Sequence, residues 1–131
     1  TAVTARNWPL CFAGISGALA VLLAAGTAHD PPEAIMVEDL GRIQTAVRYQ
    51  IWHALALLGV GAFMLKGPSG LLLIAATGFA LGSVLFCGGL YLLAFTGLDY
   101  FAWPVPVGGM AFVAGWLALA AYGWRRGRTI G

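Results

Sequence analysis

The sequence predicts an all-α integral membrane protein, with four transmembrane helices in an antiparallel bundle and a short amphipathic helix in the first outer connection. Three observations carry this. Hydrophobic residues make up 60% of the 131 residues and charged ones only 9%, against roughly 25% charged in an ordinary soluble domain. The apolar residues fall in long blocks rather than amphipathic stripes, each block of a length that carries a helix across a hydrocarbon core about 30 Å thick. None of the blocks alternates as a membrane barrel strand must, whereas helices satisfy their own backbone hydrogen bonds in lipid.

The blocks run approximately over residues 9–28, 44–65, 70–95 and 106–122, and the whole chain, 1–131, reads as a single transmembrane domain. The first block, with Arg6 before it and Ala25-Gly26-Thr27-Ala28 at its end, has the look of a cleavable signal; the expectation is a retained first span. Between the first and second blocks, Asp30-Pro31-Pro32-Glu33 reads as an N-cap, a proline at the first helical position and a Glu completing a capping box. Met36, Leu40, Ile43 and Val47 then form one apolar stripe, with Glu33, Glu38, Asp39 and Arg42 largely elsewhere around the helix. That pattern predicts an interfacial helix over about 31–43, bent near Gly41, or else a plain extension of the second span. Lys66-Gly67-Pro68-Ser69-Gly70 is a tight turn that makes the second and third spans a hairpin. Asp99, Tyr100, Phe101, Trp103 and Pro104 form an aromatic belt on the outer side, matched inside by Trp8, Tyr122 and Trp124.

Charge placement predicts orientation. Arg6, Lys66, Arg125, Arg126 and Arg128 lie at the N-terminus, the second connection and the tail, with only Arg42 and Arg48 on the side that holds all five acidic residues. An excess of Lys and Arg marks the cytoplasmic face, so both termini are expected inside, in a bacterial inner membrane. The net charge of +2 is scattered, with no basic face for nucleic acid, and the lipid bilayer is the partner the composition implies. Small residues inside the spans, Gly78 and Gly82 on the third and Ala13/Gly17 and Ala111/Gly115 on the first and fourth, predict close helix packing. Gly108 and Gly109 read as a closely packed helix start. Such packing is either internal or between two bundles.

His53 is the most informative residue. Counted at 1.5 Å per residue, it lies about 13 Å below the outer face, near the level of Cys87, with Arg48, Tyr49 and Tyr91 about 6 to 8 Å deep. Thr45, Tyr49 and His53 share one helix face and Gln50 lies close to it, so Arg48, Tyr49, Gln50, His53 and Tyr91 form a candidate polar seam. Two readings stand: a ligand or proton-handling site, or a neutral histidine hydrogen-bonded across helices, and in either case His53 is expected buried between helices. His29 ends the first span too far from His53 to share a metal, and no first shell is visible. Cys11 and Cys87 are about 20 Å apart in depth and cannot pair. No catalytic motif, metal set or cofactor motif is found, and an enzyme is not expected.

The segments Gly41–Leu57, which contains Tyr49-Gln50-Ile51-Trp52-His53, Phe86-Cys87-Gly88-Gly89-Leu90-Tyr91, Pro106-Val107-Gly108-Gly109 and Gly115-Trp116 resemble the YgdD-like (DUF423) family of small four-helix inner-membrane proteins of unknown function. The first span's ending, Ala24–His29, keeps the family pattern in part, and Cys87 replaces a usual serine. The resemblance implies four spans, with Tyr49, Gln50, His53, Tyr91 and Gly108 as motif positions, and it implies no reaction. Two functions are expected from the whole: an accessory or assembly subunit of a larger inner-membrane complex or homo-oligomer, or a protein that binds or transports a lipid-soluble or proton-linked small molecule near His53.

Overall fold

A computed structural model describes residues 7–29 and 36–128, and every regular element among them is helical. Helix α1 is Trp8–His29, α2 Val37–Met64, α3 Gly70–Gly82, α4 Gly88–Thr96 and α5 Pro104–Arg128. A π-helical turn, Ser83–Cys87, joins α3 to α4 without a break, so these three form one long rod; a 3-10 turn, Asp99–Ala102, precedes α5. Four helical rods result.

The turns follow from their residues. Ser69 caps α3 by accepting the Leu72 N–H at 3.4 Å. Gly97 ends α4 in the left-handed region at φ 69°, where its N–H reaches the Leu93 carbonyl at 2.9 Å, a conformation that glycine adopts without a Cβ penalty. Helix α5 begins at Pro104, two residues before the expected Pro106, because a proline in the first turn gives up an N–H that has no helical partner there.

Of the two readings for residues 31–43, the structure shows the extension of the second span over its described part. Among the described residues α2 runs unbroken from Val37 to Met64, so residues 37–43 extend the second rod. Gly41 costs a helix only about 1 kcal/mol, and no proline within α2 interrupts the hydrogen-bond ladder. Arg42 donates to Glu38 at 2.9 Å and Asp39 at 2.6 Å across this first turn, while Ile43 and Val47 are buried against Ala94 and Leu23. The capping box at residues 30–33 lies outside the described residues.

Three rods, Trp8–Ala28, Gly70–Thr96 and Asp99–Gly127, are long and apolar enough to cross a membrane by length and composition. Helix α2 is long enough, but Arg48, Gln50 and His53 lower its mean hydropathy. Two of those three are turned inward, Gln50 at 7% and His53 at 3% exposure, while large apolar side chains such as Ile15, Leu22, Met110 and Leu117 face out. Polar residues inside and apolar ones outside is the arrangement lipid favours.

The α2 rod and the α3–α4 rod occupy the centre, with α1 packed mainly on α2, and α5 on α3 and the π turn. Ala75, Ala76, Phe79, Leu57 and Phe112 are core residues here. The α3–α5 contact is built on glycine: a Cβ on Gly78 would lie 2.7 Å from the Ala111 carbonyl oxygen, and one on Gly115 2.9 Å from the Phe79 ring. Gly82 faces the Phe112 ring and Gly108 the Phe86 backbone in the same way. Gly17, by contrast, has nothing within 4 Å of where its Cβ would be. No Cα of α2 comes within 8 Å of one of α5, and side chains alone bridge that corner.

Candidate functional site

Successive helical residues turn by about 100°, which sets Tyr49 and His53 about 40° apart, Gln50 about 60° beyond His53 and Arg48 about 140° from it. The structure accordingly divides the expected seam among three neighbourhoods. Tyr49 and His53 face α5, Gln50 faces α1 and α4, and Arg48 lies exposed beside α1. Tyr91 meets Gln50, not Tyr49.

His53 has both ring nitrogens engaged. Nδ1 lies 2.7 Å from the Tyr49 carbonyl oxygen, and the Trp116 indole N–H donates to Nε2 at 3.1 Å. A carbonyl only accepts and an indole N–H only donates, so both bonds form together only on a neutral ring with its proton on Nδ1. The ring also stacks on Phe112, with centroids 3.5 Å apart and planes 12° apart. His53 is therefore buried and bonded across helices. With both nitrogens occupied, it offers no free lone pair to a metal and no free base to a substrate. Selective 15N labelling of His53, resolved from His29 by a His29→Gln control, should show Nδ1 protonated and Nε2 bare. Trp116→Phe should then shift the Nε2 resonance; a wild-type ring protonated at Nε2 would overturn this bonding.

Between α2 and α5 the missing backbone contact leaves an open groove of about 580 Å3, within the usual size of small-molecule sites. Tyr49, Trp52, His53, Phe86, Phe112 and Trp116 line it, with Gly109 and Val113 on the α5 side. The Tyr49 ring sits among the others, 4.7 Å from Phe86 and 5.1 Å from Trp52. Its hydroxyl has no hydrogen-bond partner among the described residues. Phe86 belongs to the π turn, a local widening of the helix that recurs at functional sites, and here it lies against Tyr49 and Phe112 at the groove wall. Phe112 and Trp52 were not among the residues expected from sequence. The i, i+4 spacing of Phe112 and Trp116 on α5, which mirrors Tyr49 and His53 on α2, is the signal that points to Phe112.

On the other side of α2, Gln50 donates from Nε2 to the Ser16 carbonyl at 3.0 Å and accepts from the Tyr91 hydroxyl at 2.6 Å. One side chain thus ties α1, α2 and α4 together. A smaller cleft of about 220 Å3 adjoins it, lined by Ser16, Gln50 and Ser83 among apolar residues. Cys11 is exposed and Cys87 buried, both as free thiols. The side chain of His29 lies outside the described residues. Among the described residues no three His, Cys, Asp or Glu side chains gather around one point.

Residues 18–109 match the family described as "Protein of unknown function (DUF423)". The chain is 42% identical over 107 residues to "UPF0382 inner membrane protein YgdD" of Escherichia coli, covering 82% of each. It is 31% identical over 125 residues to a "UPF0382 membrane protein" of Haemophilus influenzae, covering 95% of this chain and 99% of the relative. It is 36% identical over 107 residues to "UPF0382 membrane protein YwdK" of Bacillus subtilis, covering 80% and 86% respectively. No solved structure matches.

Proposed function

Because this chain belongs to the DUF423 family, whose relatives carry the name of membrane proteins, we propose that it is a non-enzymatic integral membrane protein that takes a planar, lipid-soluble molecule from the bilayer into the α2/α5 groove. The groove itself carries this reading. Its walls are aromatic faces, which stack on flat apolar rings, and the Tyr49 hydroxyl, without a partner among the described residues, supplies one donor for an oxygen on the ligand. The groove opens sideways, so a ligand reaches it along the lipid phase. His53, held by Trp116 and stacked on Phe112, fixes the floor rather than reacting. In this reading four rods span the inner membrane, α2 with its polar residues turned inward. Lys66, Arg125 and Arg126 mark the cytoplasmic side by the positive-inside rule, which puts both termini there.

Gly109→Leu tests the site. A Cβ there meets only the Phe86 ring edge at 3.8 Å, so the larger side chain enters the groove without striking backbone. Protein extracted gently from native membranes should carry an apolar, non-phospholipid molecule near one per chain, detected by mass spectrometry of its organic extract, and Gly109→Leu should lower that occupancy at least tenfold. A wild-type extract that matches the bulk membrane lipids alone would remove the proposal.

The other reading, an accessory or assembly subunit of a larger complex or homo-oligomer, draws on the outward ridge of α1, where Ile15, Leu19 and Leu22 are 65%, 50% and 68% exposed. Such a ridge suits a partner helix as well as it suits lipid. A lone monomer that enriches no partner under several mild extraction conditions leaves that reading without support.

A further inference from the structure

A second groove follows the α1/α2 seam on a face that the aromatic site does not touch. Near the Asp39 end of α2 a cavity of about 350 Å3 is bordered by Thr27, Gln44 and Arg48, with Ala24 and Ile51 beneath. Next to it along the seam lies a second cavity of about 370 Å3, lined by Leu10, Gly14, Gly17, Val21, Ile51 and Leu58 among other apolar residues. Ile51 borders both, so the two lie in line along one α1/α2 seam. The upper stretch is polar at its rim, and the lower one is almost wholly apolar.

Arg48 is the charged group at the head of this groove. It is exposed, and among the described residues it has no hydrogen-bond or ion-pair partner. The acids nearest in sequence, Glu38 and Asp39, are engaged by Arg42. Gln44, one helical turn before Arg48 on the same face, is likewise exposed and without a partner among the described residues. A guanidinium and an amide side by side present a fork of donors suited to phosphate oxygens. Thr27 does not add to it, because its hydroxyl donates back to the Leu23 carbonyl at 2.8 Å.

Below this head the groove keeps its shape through glycine. A Cβ on Gly14 or Gly17 would meet nothing within 4 Å, so neither glycine is needed for packing within the chain. From Arg48 the lined seam runs on past Ile51 to Leu58, about 15 Å further at 1.5 Å per residue, and on the α1 side its lining reaches from Ala28 to Leu10. That is long enough for one acyl chain, which spans about half of a hydrocarbon core about 30 Å thick. An anionic head with an apolar tail is the complement of this surface, with charge and donors at one end and an apolar bed below.

We propose that the α1/α2 groove holds one anionic phospholipid, its phosphate at Arg48 and Gln44 and an acyl chain along the bed formed by Gly17 and Gly14. This rests on the membrane placement of the preceding reading but not on the α2/α5 groove, so either site can fail without the other. Native mass spectrometry from mixed micelles of phosphatidylglycerol and phosphatidylcholine tests it on the full chain. The wild type should retain one phosphatidylglycerol in preference to phosphatidylcholine. Arg48→Gln should cut that preference about five- to tenfold, the effect expected of one basic residue beside an anionic lipid, whereas Lys66→Gln at the opposite end should leave it unchanged. Gly17→Leu should lower retention of both lipids by filling the α1/α2 groove. Arg48 is exposed and has no partner among the described residues, so its replacement leaves their packing intact and the outcome readable. Equal retention of the two lipids by the wild type, or an Arg48→Gln preference like that of the wild type, overturns the proposal. Displacement of phosphatidylglycerol by inorganic phosphate overturns it too, as it would mark a simple anion site without a place for the chain.

Discussion

Gly108→Ala is expected to destabilise the protein by about 3 kcal/mol or more, at the upper end of overpacking costs, although alanine is the better helix former by about 1 kcal/mol. A Cβ at this position would fall onto the backbone nitrogen of Phe86, with the Phe86 Cα at 2.9 Å and Cβ at 2.8 Å. A flexible side chain can swing away from an added methyl group, but here the obstacle is main chain in the π turn. The turn must shift as a whole, taking Phe86 away from Tyr49 and Phe112. At Gly14, where space is open, the same change should be neutral or stabilising by up to about 1 kcal/mol. Unfolding in mixed micelles followed by tryptophan fluorescence checks the contrast. Equal midpoints for Gly108→Ala and Gly14→Ala would mean that α5 does not approach the π turn so closely.

That contrast also shows what was legible in the sequence. Spacing alone marks Gly78/Gly82, Ala13/Gly17 and Ala111/Gly115 as equivalent pairs, because small residues four apart share a helix face. It says nothing of which neighbour meets that face. The structure sets Gly78 and Gly115 against each other across α3 and α5 and leaves Gly17 facing open space, a distinction that depends on the order in which the rods pack. The helical rods and the turn at Lys66–Gly70 were readable because proline, glycine and long apolar runs act locally. Gly41 misled for the same local reason: a single glycine weakens a helix without ending it, and α2 continues through it.

The candidate site was legible only in part. Burial of His53 follows from the cost of an unbonded imidazole in an apolar setting, and its place on one face with Tyr49 follows from helical periodicity. Its partner, Trp116, lies 63 residues away in sequence, and nothing in the α2 segment names it. Depth counting cannot supply azimuth, so Tyr91 was grouped with Arg48 and Tyr49 when Gln50 is the residue it meets. The π turn was invisible for a different reason. No residue in Ser83–Cys87 compels an i→i+5 bond; Gly82 next to Ser83 merely permits the distortion, and Ser83 donates its hydroxyl to the Phe79 carbonyl at 2.8 Å within it. That turn is what aligns Phe86 with the groove.

Gln50→Leu is the second change with a large expected effect, about 2 to 3 kcal/mol, because it breaks two interhelical bonds and strands a donor. Interhelical hydrogen bonds in membrane proteins average about 0.6 kcal/mol and reach about 1.7 kcal/mol, so the two bonds lost by themselves account for only part of that. The remainder comes from the Tyr91 hydroxyl, which in the native fold donates to Gln50 Oε1 at 2.6 Å and after the change has no acceptor there; an unsatisfied buried polar group costs about 1 to 3 kcal/mol. The amide cannot rescue itself by flipping even in the wild type, since its oxygen would then face the Ser16 carbonyl that now accepts from Nε2 at 3.0 Å. Tyr91→Phe alone should cost about 1 kcal/mol, as it removes one bond and leaves only an acceptor underused. The double variant removes the stranded donor together with its partner, so it should be less unstable than the sum of the two single changes by about 1 kcal/mol. Reversible unfolding of the four proteins of this cycle in one detergent measures that difference. Strict additivity would show that the Gln50–Tyr91 bond contributes nothing to stability, and the link between α2 and α4 would then rest on apolar packing such as that of Ile43, Val47 and Ala94.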